Sequence, residues 1–385
     1  MSDRILDDAQ EMLADSVRKY VERGYGDAVR QASIEHPHGC SPERWEEFAE
    51  LGWLALPVPE EDGGLGGSMV DICVIAEELG RGLVNEPYVA SAVLGAMLLA
   101  DAASATVRMQ WLPGIAEGSL RVAFAPWEPG ARFDMGAINT RAEPIDKGFR
   151  LYGEKTLVPG GAGADAYLLA ARLADSGLLG LFLVPAAAAG LTATPRVFYD
   201  GQHATQLRMD GVEAVEALTV GPVAEVLTLL EKAMDRGIVA HCAETVGVMR
   251  RTFEITLDYL RTRNQFGRAI AANQVVQHRM VDLYVEIEEA RALTRAAGSV
   301  LAEQGPNDAS LRCRYSAAAK ACVSLAAKHV WEESVQLHGA IGMTEEYAIG
   351  KFIKRLALAS TLYGGAESQL ERLAGVSFGN AAVCP

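Results

Sequence analysis

The sequence predicts a chain of three successive parts: an all-α N-terminal domain, a middle domain of short strands and a C-terminal four-helix bundle. Apolar residues recur at helical spacing through residues 1–118. Across 119–222, short apolar runs alternate with Gly, Pro and Asp, a pattern typical of a β-barrel or sandwich. Four long amphipathic segments then fill 223–385, at about 225–261, 273–304, 308–338 and 345–375.

Composition limits the classes of function. The chain has 385 residues, of which half are hydrophobic, so a large core is possible. A net charge of −15 without a basic run argues against nucleic acid or an anionic membrane surface as partner. No apolar run reaches the length of about 18 residues that a transmembrane helix needs. Six scattered cysteines without C-x-x-C spacing predict reduced, mostly buried thiols, a cytoplasmic protein and no metal site.

The N-terminal domain carries recognisable helix signals. Residues 5–23 are predicted to form one amphipathic helix. Ser41 and Pro42 predict the start of another, with Ser as the N-cap and Pro in the first turn. After a glycine-rich loop, Ser68 predicts the cap of a further helix, which we expect to close at Gly80.

The stretch 261–277, RTRNQFGRAIAANQVVQ, joins two amphipathic helices of the C-terminal part. Arg263 offers a planar cationic donor fork that suits an anionic oxygen group. Gln274 supplies amide donors and acceptors, and Phe266 is a buriable aromatic residue. This inventory suits a pyrophosphate with a polar ring system. A solvated loop between two helices has the same composition, and only the spacing of the residues favours the binding site.

That spacing, R-x-Q-F-G followed by Q-x-x-Q-H, resembles the C-terminal domain of acyl-CoA dehydrogenases. Further similar segments follow the same order along nearly the whole chain: VPEEDGG, EELGR and GFRLYGEKTLVPGG. The resemblance implies an acyl-CoA dehydrogenase-like fold and FAD as cofactor. It also implies that Arg263, Phe266 and Gln274 hold the FAD of a neighbouring protomer.

A second motif, VQLHGAIG, resembles the family's Q-x-x-G-G-x-G. In the family this turn receives the adenosine half of the neighbour's FAD, which implies that role for Gln336, Gly339 and Ala340. Ala340 stands where the second Gly usually is. By itself the motif is also an ordinary helix C-cap, for which Gly is common.

The catalytic base of the family has no counterpart at either of its usual positions. The family's Y-E-G-T segment aligns with 363–366, which places Gly364 at the carboxylate position. The alternative position, near the start of the helix before R-x-x-F-G, aligns with Gly237. Asp235 and Glu244 are weak substitutes. Asp235 is about 200° around the helix from Gly237, and Glu244 is roughly 10 Å along it. Glu244 is better explained as a polar partner within the bundle.

The flavin wall also departs from the family pattern. The strand K-x-W-I-T is KTLVP here, so Leu157 replaces the aromatic residue and Pro159 replaces the hydroxyl residue. Proline has neither a hydroxyl nor a backbone N–H. The loop E-P-G-A-G-S-D is EPGARFD, with Arg132 and Phe133 in place of small residues.

The chain thus lacks the family's residues for a protomer's own site but keeps the residues that are lent to a neighbour. This combination resembles the small, base-lacking subunit of heteromeric bacterial acyl-CoA dehydrogenases such as the pimeloyl-CoA dehydrogenase type. The resemblance implies α,β-desaturation of an acyl-CoA thioester in fatty acid or acyl-CoA degradation. It further implies a paralogous partner subunit in a heterotetramer, with electron-transfer flavoprotein as acceptor. Two alternatives remain: a homo-oligomeric dehydrogenase with a non-standard base, and an inactive scaffold on the same fold.

Overall fold

A computed structural model describes residues 6–214, 217–265, 267–302, 309–344 and 347–378. The chain divides into two compact units, and both are built from separate stretches of sequence. The first unit comprises Met1–Asp27, Cys73–Val84 and Ile238–Cys384. The second comprises Ala28–Ile72 and Asn85–Gly237. The predicted domain boundaries at 118/119 and 222/223 stay a prediction, although secondary structure changes close to both positions.

Two helices begin at the capping residues that the sequence predicts. Ser41 accepts a hydrogen bond from the Arg44 N–H at 3.4 Å, and its helix begins at Pro42. Ser68 accepts from the Asp71 N–H at 3.3 Å, and its helix begins at Met69. From residue 6 to the first strand, the structure has the α-helices α1 (Asp8–Gly24), α2 (Asp27–Glu35), α3 (Pro42–Glu50), α4 (Met69–Arg81), α5 (Ala96–Ala102) and α6 (Ala105–Ala116). A π-helix, Tyr88–Gly95, leads directly into α5.

The predicted end of α4 at Gly80 was wrong, because the helix continues to Arg81. Gly80 serves packing within the first unit instead. A Cβ atom there would collide with the backbone carbonyl of Glu244, and one at Gly247 would collide with the carbonyl of Glu77. These two glycines therefore let α4 lie directly against the backbone of α7 (Val223–Thr262).

The C-terminal helices match three of the four predicted segments: α7, α8 (Gln274–Ala302) and α9 (Ala309–His338). The fourth predicted segment is divided into α10 (Ile349–Ala359) and α11 (Ala366–Ser377). The division has a backbone cause. Tyr363 and Gly364 both have positive φ, at 63° and 88°, and consecutive left-handed residues end a right-handed helix.

The middle strands form one eight-stranded sheet: β1 (Val122–Ala125), β2 (Arg141–Ile145), β3 (Gly148–Pro159), β4 (Ala166–Leu173), β5 (Leu179–Pro185), β6 (Leu191–Val197), β7 (His203–Ala214) and β8 (Ala217–Gly221). The strand order is β6-β7-β3-β2-β4-β5-β8, and β1 pairs in parallel with β4. The rings of Phe149 in β3 and Phe182 in β5 lie 5.3 Å apart although two strands separate them in this order. A flat sheet would hold them roughly 14 Å apart, so the sheet curls around a single core.

This architecture confirms the predicted fold class, with helices at both ends of the chain and a curled sheet between them. Among the described residues, no helix is both long enough and apolar enough to span a membrane.

The glycine contact between α4 and α7 can be tested by substitution. We expect Gly247→Ala to lower the free energy of unfolding by at least about 1–3 kcal/mol, because its Cβ meets backbone that cannot rotate away. Urea denaturation followed by circular dichroism measures the change. Gly24→Ala is the control, since a Cβ at Gly24 has no atom within 4 Å. Equal stability of the two variants would contradict the proposed packing.

Candidate functional site

The region around Arg263 is a tight hairpin that follows α7. Asn264–Gln265 pairs antiparallel with Arg268–Ala269, and Gly267 has a φ of 80°. The backbone of Arg263 is held at both ends: its N–H donates to the Tyr259 carbonyl at 2.8 Å and its carbonyl accepts from the Ile270 N–H at 2.9 Å. Its side chain is exposed. The hairpin therefore presents a guanidinium on a fixed backbone. Phe266 lies outside the described residues.

The second predicted motif lies beside this hairpin in the first unit. The rings of Tyr259 and His338 stack at 4.5 Å, and the Tyr259 hydroxyl donates to the His338 carbonyl at 3.3 Å. Gly339 follows with a φ of 63°, and a Cβ there would have no atom within 4 Å. Tyr259 contacts both His338 and the backbone of Arg263, so it links two motifs that are far apart in sequence. Their predicted binding residues are all exposed: Arg263, Gln274, Gln336, Gly339 and Ala340.

At the first position of the missing base, Gly237 faces a leucine. A Cβ on Gly237 would lie 2.5 Å from Cδ2 and 2.6 Å from Cγ of Leu94 in the π-helix. Leu94 is 3% exposed. The space that a side chain at 237 would need is therefore filled with hydrocarbon. Asp235 is fully buried and takes part in interactions inside the protein.

At the second position, Gly364, the backbone itself disfavours a carboxylate. Its φ of 88° is strained for any residue with a Cβ, and that Cβ would lie 3.0 Å from the Gln369 side-chain nitrogen. The Gln369 amide donates to the Tyr363 carbonyl at 2.9 Å, which fixes the turn. Neither base position can take a glutamate without local rearrangement.

Glu244 is engaged in a buried ion pair. Its carboxylate lies 2.7 Å from Arg355 Nη1 and 3.8 Å from His241 Nδ1, and its side chain is 14% exposed. Burial alone would raise the pKa of Glu244, but His241 and Arg355 outweigh burial and hold that pKa below its ordinary value. A carboxylate stabilised as an anion in this way is a poor proton acceptor. The weak candidacy of Glu244 stays a prediction, and its contacts favour a structural role.

The same region contains a buried lysine. Lys320 is fully buried, and its ammonium donates to the Ala359 carbonyl at 2.7 Å and to the Ser324 hydroxyl at 3.0 Å. Burial lowers the pKa of Lys320 to about 8. The Ala359 carbonyl is at the end of α10, so this contact caps the helix before the Tyr363–Gly364 turn. The sequence signal for Lys320 is a single cation within an otherwise small and apolar helical run, AAAKACVSLAA.

The flavin-wall strand is distorted where the sequence departs from the family. The pairing of β3 with β7 shifts register between Lys155 and Val158, and Leu157 has a φ of 48°. Pro159 lies opposite Ala204 and cannot donate a backbone hydrogen bond. A left-handed conformation in a non-glycine apolar residue is uncommon and costs free energy, and such strain clusters at functional sites.

Trp127 is a wall residue that the sequence analysis missed. It directly precedes the EPGARFD loop, is 3% exposed and contacts Phe133 edge to face, with ring centroids 5.0 Å apart. Its carbonyl accepts from the Thr156 N–H at 2.9 Å, which brings the loop against the bulged strand. Arg132 and Phe133 both have positive φ, at 50° and 72°. The two aromatic side chains therefore pack on each other in the loop that pairs with Thr156. The sequence signal for Trp127 is an aromatic residue directly before the EPGARFD loop.

Glu128 anchors this loop. Its buried carboxylate accepts from Lys155 Nζ at 2.8 Å, from the Asn139 N–H at 2.7 Å and from the N–H and hydroxyl of Thr140. Burial raises the pKa of Glu128, and Lys155 and the other donors more than offset this and lower it. These hydrogen bonds tie the loop to the sheet.

A groove of about 780 Å³ lies elsewhere in the second unit, between α6 and the strands β5 and β7. Val107, Trp111, Leu183 and Asp210 are among its lining residues. The lining does not include Leu157, Pro159 or Gly237, so this groove is separate from the flavin-wall and base positions.

The Glu244–Arg355 pair provides a prediction about stability. Glu244→Gln removes the carboxylate that pairs with the buried guanidinium of Arg355, which we expect to cost about 3–5 kcal/mol of unfolding free energy at neutral pH. Because the pKa of Glu244 is lowered in the folded state, the contribution of the carboxylate is present above its ordinary pKa and is lost as pH falls through the lowered value. As pH falls from about 5 to about 3, the free energy of unfolding should therefore decrease less in Glu244→Gln than in the wild type.

Urea titrations over that pH range test this expectation. Glu254→Gln is the matched control, since Glu254 pairs with Arg81 at 2.7 Å but its side chain is 37% exposed. Exposed pairs contribute about 0–1 kcal/mol, so the control should lose little. Equal losses in the two variants would show that Glu244 is not effectively buried with its partner.

Comparison with known proteins agrees with this geometry. Residues 7–119 match the family described as "Acyl-CoA dehydrogenase, N-terminal domain", and residues 227–377 match "Acyl-CoA dehydrogenase, C-terminal domain". The chain is 28% identical to acyl-CoA dehydrogenase FadE12 of Mycobacterium tuberculosis over 377 residues, which are 95% of this chain and 94% of that protein.

Two solved structures are similar over nearly their whole length. A variant of the Tcur3481-Tcur3483 steroid ACAD is 31% identical with a TM-score of 0.86, covering 97% of this chain and 99% of the other. The ChsE4-ChsE5 complex from Mycobacterium tuberculosis is 25% identical with a TM-score of 0.85, covering 96% and 97%. The chain belongs to the acyl-CoA dehydrogenase family of FAD-dependent oxidoreductases.

Proposed function

We propose that this chain is one subunit of a heteromeric acyl-CoA dehydrogenase, in which it completes the FAD site of a paralogous partner. The observation that carries the proposal is an asymmetry. The residues that the family lends to a neighbour are exposed on a rigid backbone, whereas the positions of the chain's own flavin wall and base are altered or filled. The names of two similar structures each join two proteins, Tcur3481-Tcur3483 and ChsE4-ChsE5, which supports a heteromer.

The hairpin and the Gln336 turn fit the FAD of a partner. Arg263 provides a cation for the pyrophosphate, and Gln274 and Gln336 provide amides for polar edges of the cofactor. Gly339 leaves open space where a backbone must approach a ligand closely. When bound, FAD supplies the acceptor for the hydride that leaves the β-carbon of the acyl thioester. In this arrangement the partner supplies the carboxylate that removes the α-proton.

The face of α8 next to the hairpin supports a partner chain. Gln274, His278, Val281 and Val285 follow helical spacing along one face, and all four are exposed. Val281 is 58% exposed and Val285 48% exposed. A stripe of exposed valines beside the proposed cofactor residues is typical of a protein interface. A paralogous subunit laid on this stripe would bring its flavin against Arg263.

Two alternatives make different predictions. A homo-oligomeric dehydrogenase would need a base in this chain, and the ion pair of Glu244 disfavours its strongest remaining candidate. An inactive scaffold would not need the exposed guanidinium and amides around Gly339. The acyl group, the electron-transfer flavoprotein as acceptor and the heterotetrameric assembly remain parts of the proposal.

Flavin stoichiometry tests the proposal directly. We expect the assembly with the partner subunit to carry one FAD for each pair of unlike chains, because only the partner's wall can combine with this chain's hairpin. This chain purified alone should hold little FAD and show negligible turnover of CoA thioesters. Flavin absorbance, total protein and chain ratio by gel densitometry give the number. One flavin per chain would rule out the half-site arrangement, and full turnover by this chain alone would favour a base of its own.

Arg263 is the residue to change in the lent part of the site. We expect Arg263→Ala to weaken FAD retention in the assembly roughly 10- to 100-fold, through loss of a charge-assisted hydrogen bond to phosphate. Arg261→Ala is the control, since Arg261 is exposed at the end of α7, just before Arg263. Flavin content after dialysis and circular dichroism measure binding and folding separately. Equal flavin loss in both variants would assign Arg263 a surface role only.

A further inference from the structure

We infer that three arginines of the first unit, Arg250, Arg291 and Arg295, bind the phosphoryl group of a small anionic ligand. They come from α7 and α8 and surround one carboxylate of α4, that of Glu77. All four residues belong to the first unit. Roughly 18 Å of helix separate Arg250 from the end of α7 and the hairpin of Arg263. The inference therefore concerns a second site and is independent of the proposed function.

The geometry gives three cations one close anion. Glu77 Oε1 lies 2.6 Å from Arg250 Nη1 and 2.9 Å from Arg291 Nε. The other oxygen, Oε2, lies 3.9 Å from Arg295 Nη2. Glu288 is 3.9 Å from Arg291 Nη1, but its side chain is 41% exposed, so water screens this pair. Three guanidinium groups around one carboxylate leave two positive charges unbalanced.

The chain itself provides few acceptors for these guanidinium groups. Arg250 donates a hydrogen bond to Glu77. Arg291 and Arg295 donate none to the residues that the structure describes, although each guanidinium has five N–H donors. The three arginine side chains are only 20–26% exposed, and Arg291 Nε is buried without a hydrogen-bond partner among the described residues. Donors that are this far removed from water need acceptors, and a bound anion would supply them.

Repulsion between like charges points the same way. Arg291 and Arg295 are four residues apart on α8, so they are neighbours on one helix face, where like charges destabilise a helix. Burial, and then the charge of Arg291, lower the pKa of the Arg295 guanidinium, and Glu77 does not offset them. An additional anion would stabilise all three cations.

The other carboxylates near this cluster are already paired with other arginines. Glu78 lies 2.7 Å from Arg18 Nη2, and Glu254 lies 2.7 Å from Arg81 Nη1. The chain as a whole carries a net charge of −15. The positive excess around Glu77 is therefore a local feature of these helices and not part of a generally basic surface.

A phosphoryl group matches the cluster in charge and in geometry. A phosphate monoester carries about −1.5 to −2 charges at pH 7 and presents three strong acceptor oxygens. Guanidinium forks bind such oxygens in pairs. A single carboxylate brings one charge and two oxygens, which would leave part of the excess unbalanced. Inorganic phosphate and the phosphoryl groups of a nucleotide or of CoA share the required chemistry.

Thermal shift and equilibrium dialysis of the full-length chain in its assembly test the inference. The probes are inorganic phosphate, ADP, CoA and acetate, each compared with chloride at the same ionic strength. We expect the phosphoryl compounds, but not acetate, to raise the melting temperature in a saturable way. Binding of ADP or CoA more than tenfold tighter than that of phosphate would identify a nucleotide as the source of the group. Similar affinities would identify free phosphate.

Substitution of Arg295 separates binding at this cluster from binding elsewhere in the assembly. Arg295→Gln removes one cation and keeps the Arg250–Glu77 hydrogen bond, and it should weaken phosphate binding roughly 10- to 100-fold. In chloride its melting temperature should equal or exceed that of the wild type, because a like charge is removed. Arg251→Gln is the matched control, since Arg251 is 44% exposed and pairs with Glu254 at 3.1 Å. It should keep the affinity for phosphate within about twofold.

Four results would overturn the inference. They are no saturable response to any phosphoryl compound, an equal response to acetate, unchanged phosphate affinity in Arg295→Gln, and a lower melting temperature of Arg295→Gln in chloride. The last result would mean that the three arginines form an ion-pair network that is complete without a ligand. None of these results bears on the half-site function, which the flavin stoichiometry tests separately.

Discussion

The close backbone contact between α4 and α7 is the constraint on which the rest of the first unit depends. Gly80 and Gly247 allow it, because any side chain at either position would meet a carbonyl group of the other helix. The contact holds the middle of α7, a helix of 40 residues. Within the first unit, that helix carries Glu244 beside the contact and leads into the hairpin of Arg263. One packing constraint therefore holds the part of α7 from which both of these residues are presented.

Glu244 and Lys320, two largely buried charged residues of the C-terminal helices, contribute to stability. A catalytic carboxylate would need different surroundings. The negative charge of Glu244 is balanced by Arg355, and Lys320 caps the end of α10 before the Tyr363–Gly364 turn. A base must exchange its proton with a substrate, which requires an accessible carboxyl with a pKa near the working pH. A buried arginine partner has the opposite effect, because it stabilises the carboxylate anion and so lowers the pKa of the carboxyl group. The contacts of Glu244 therefore favour a structural role for this carboxylate.

In the second unit, side chains pack closely at the positions where the sequence departs from the family pattern. Apolar burial of this kind stabilises the fold by about 25 cal/mol for each Å² removed from water. Leu94 lies beside Gly237, and Trp127 packs on Phe133 edge to face. The left-handed backbone of Leu157 costs free energy, which this packing offsets.

The amino-acid sequence alone predicts the fold class, the helix caps at Ser41 and Ser68 and the two motifs around Arg263 and Gly339, and it shows Gly at 237 and 364. These features depend on local periodicity, cap chemistry and motif spacing, which are legible without coordinates. Three contacts become visible only in the folded chain: Leu94 lies beside Gly237, Glu244 pairs with Arg355, and Trp127 packs on Phe133. Each of these contacts joins residues that are not adjacent in sequence, and residue type alone cannot say which side chain fills a given space.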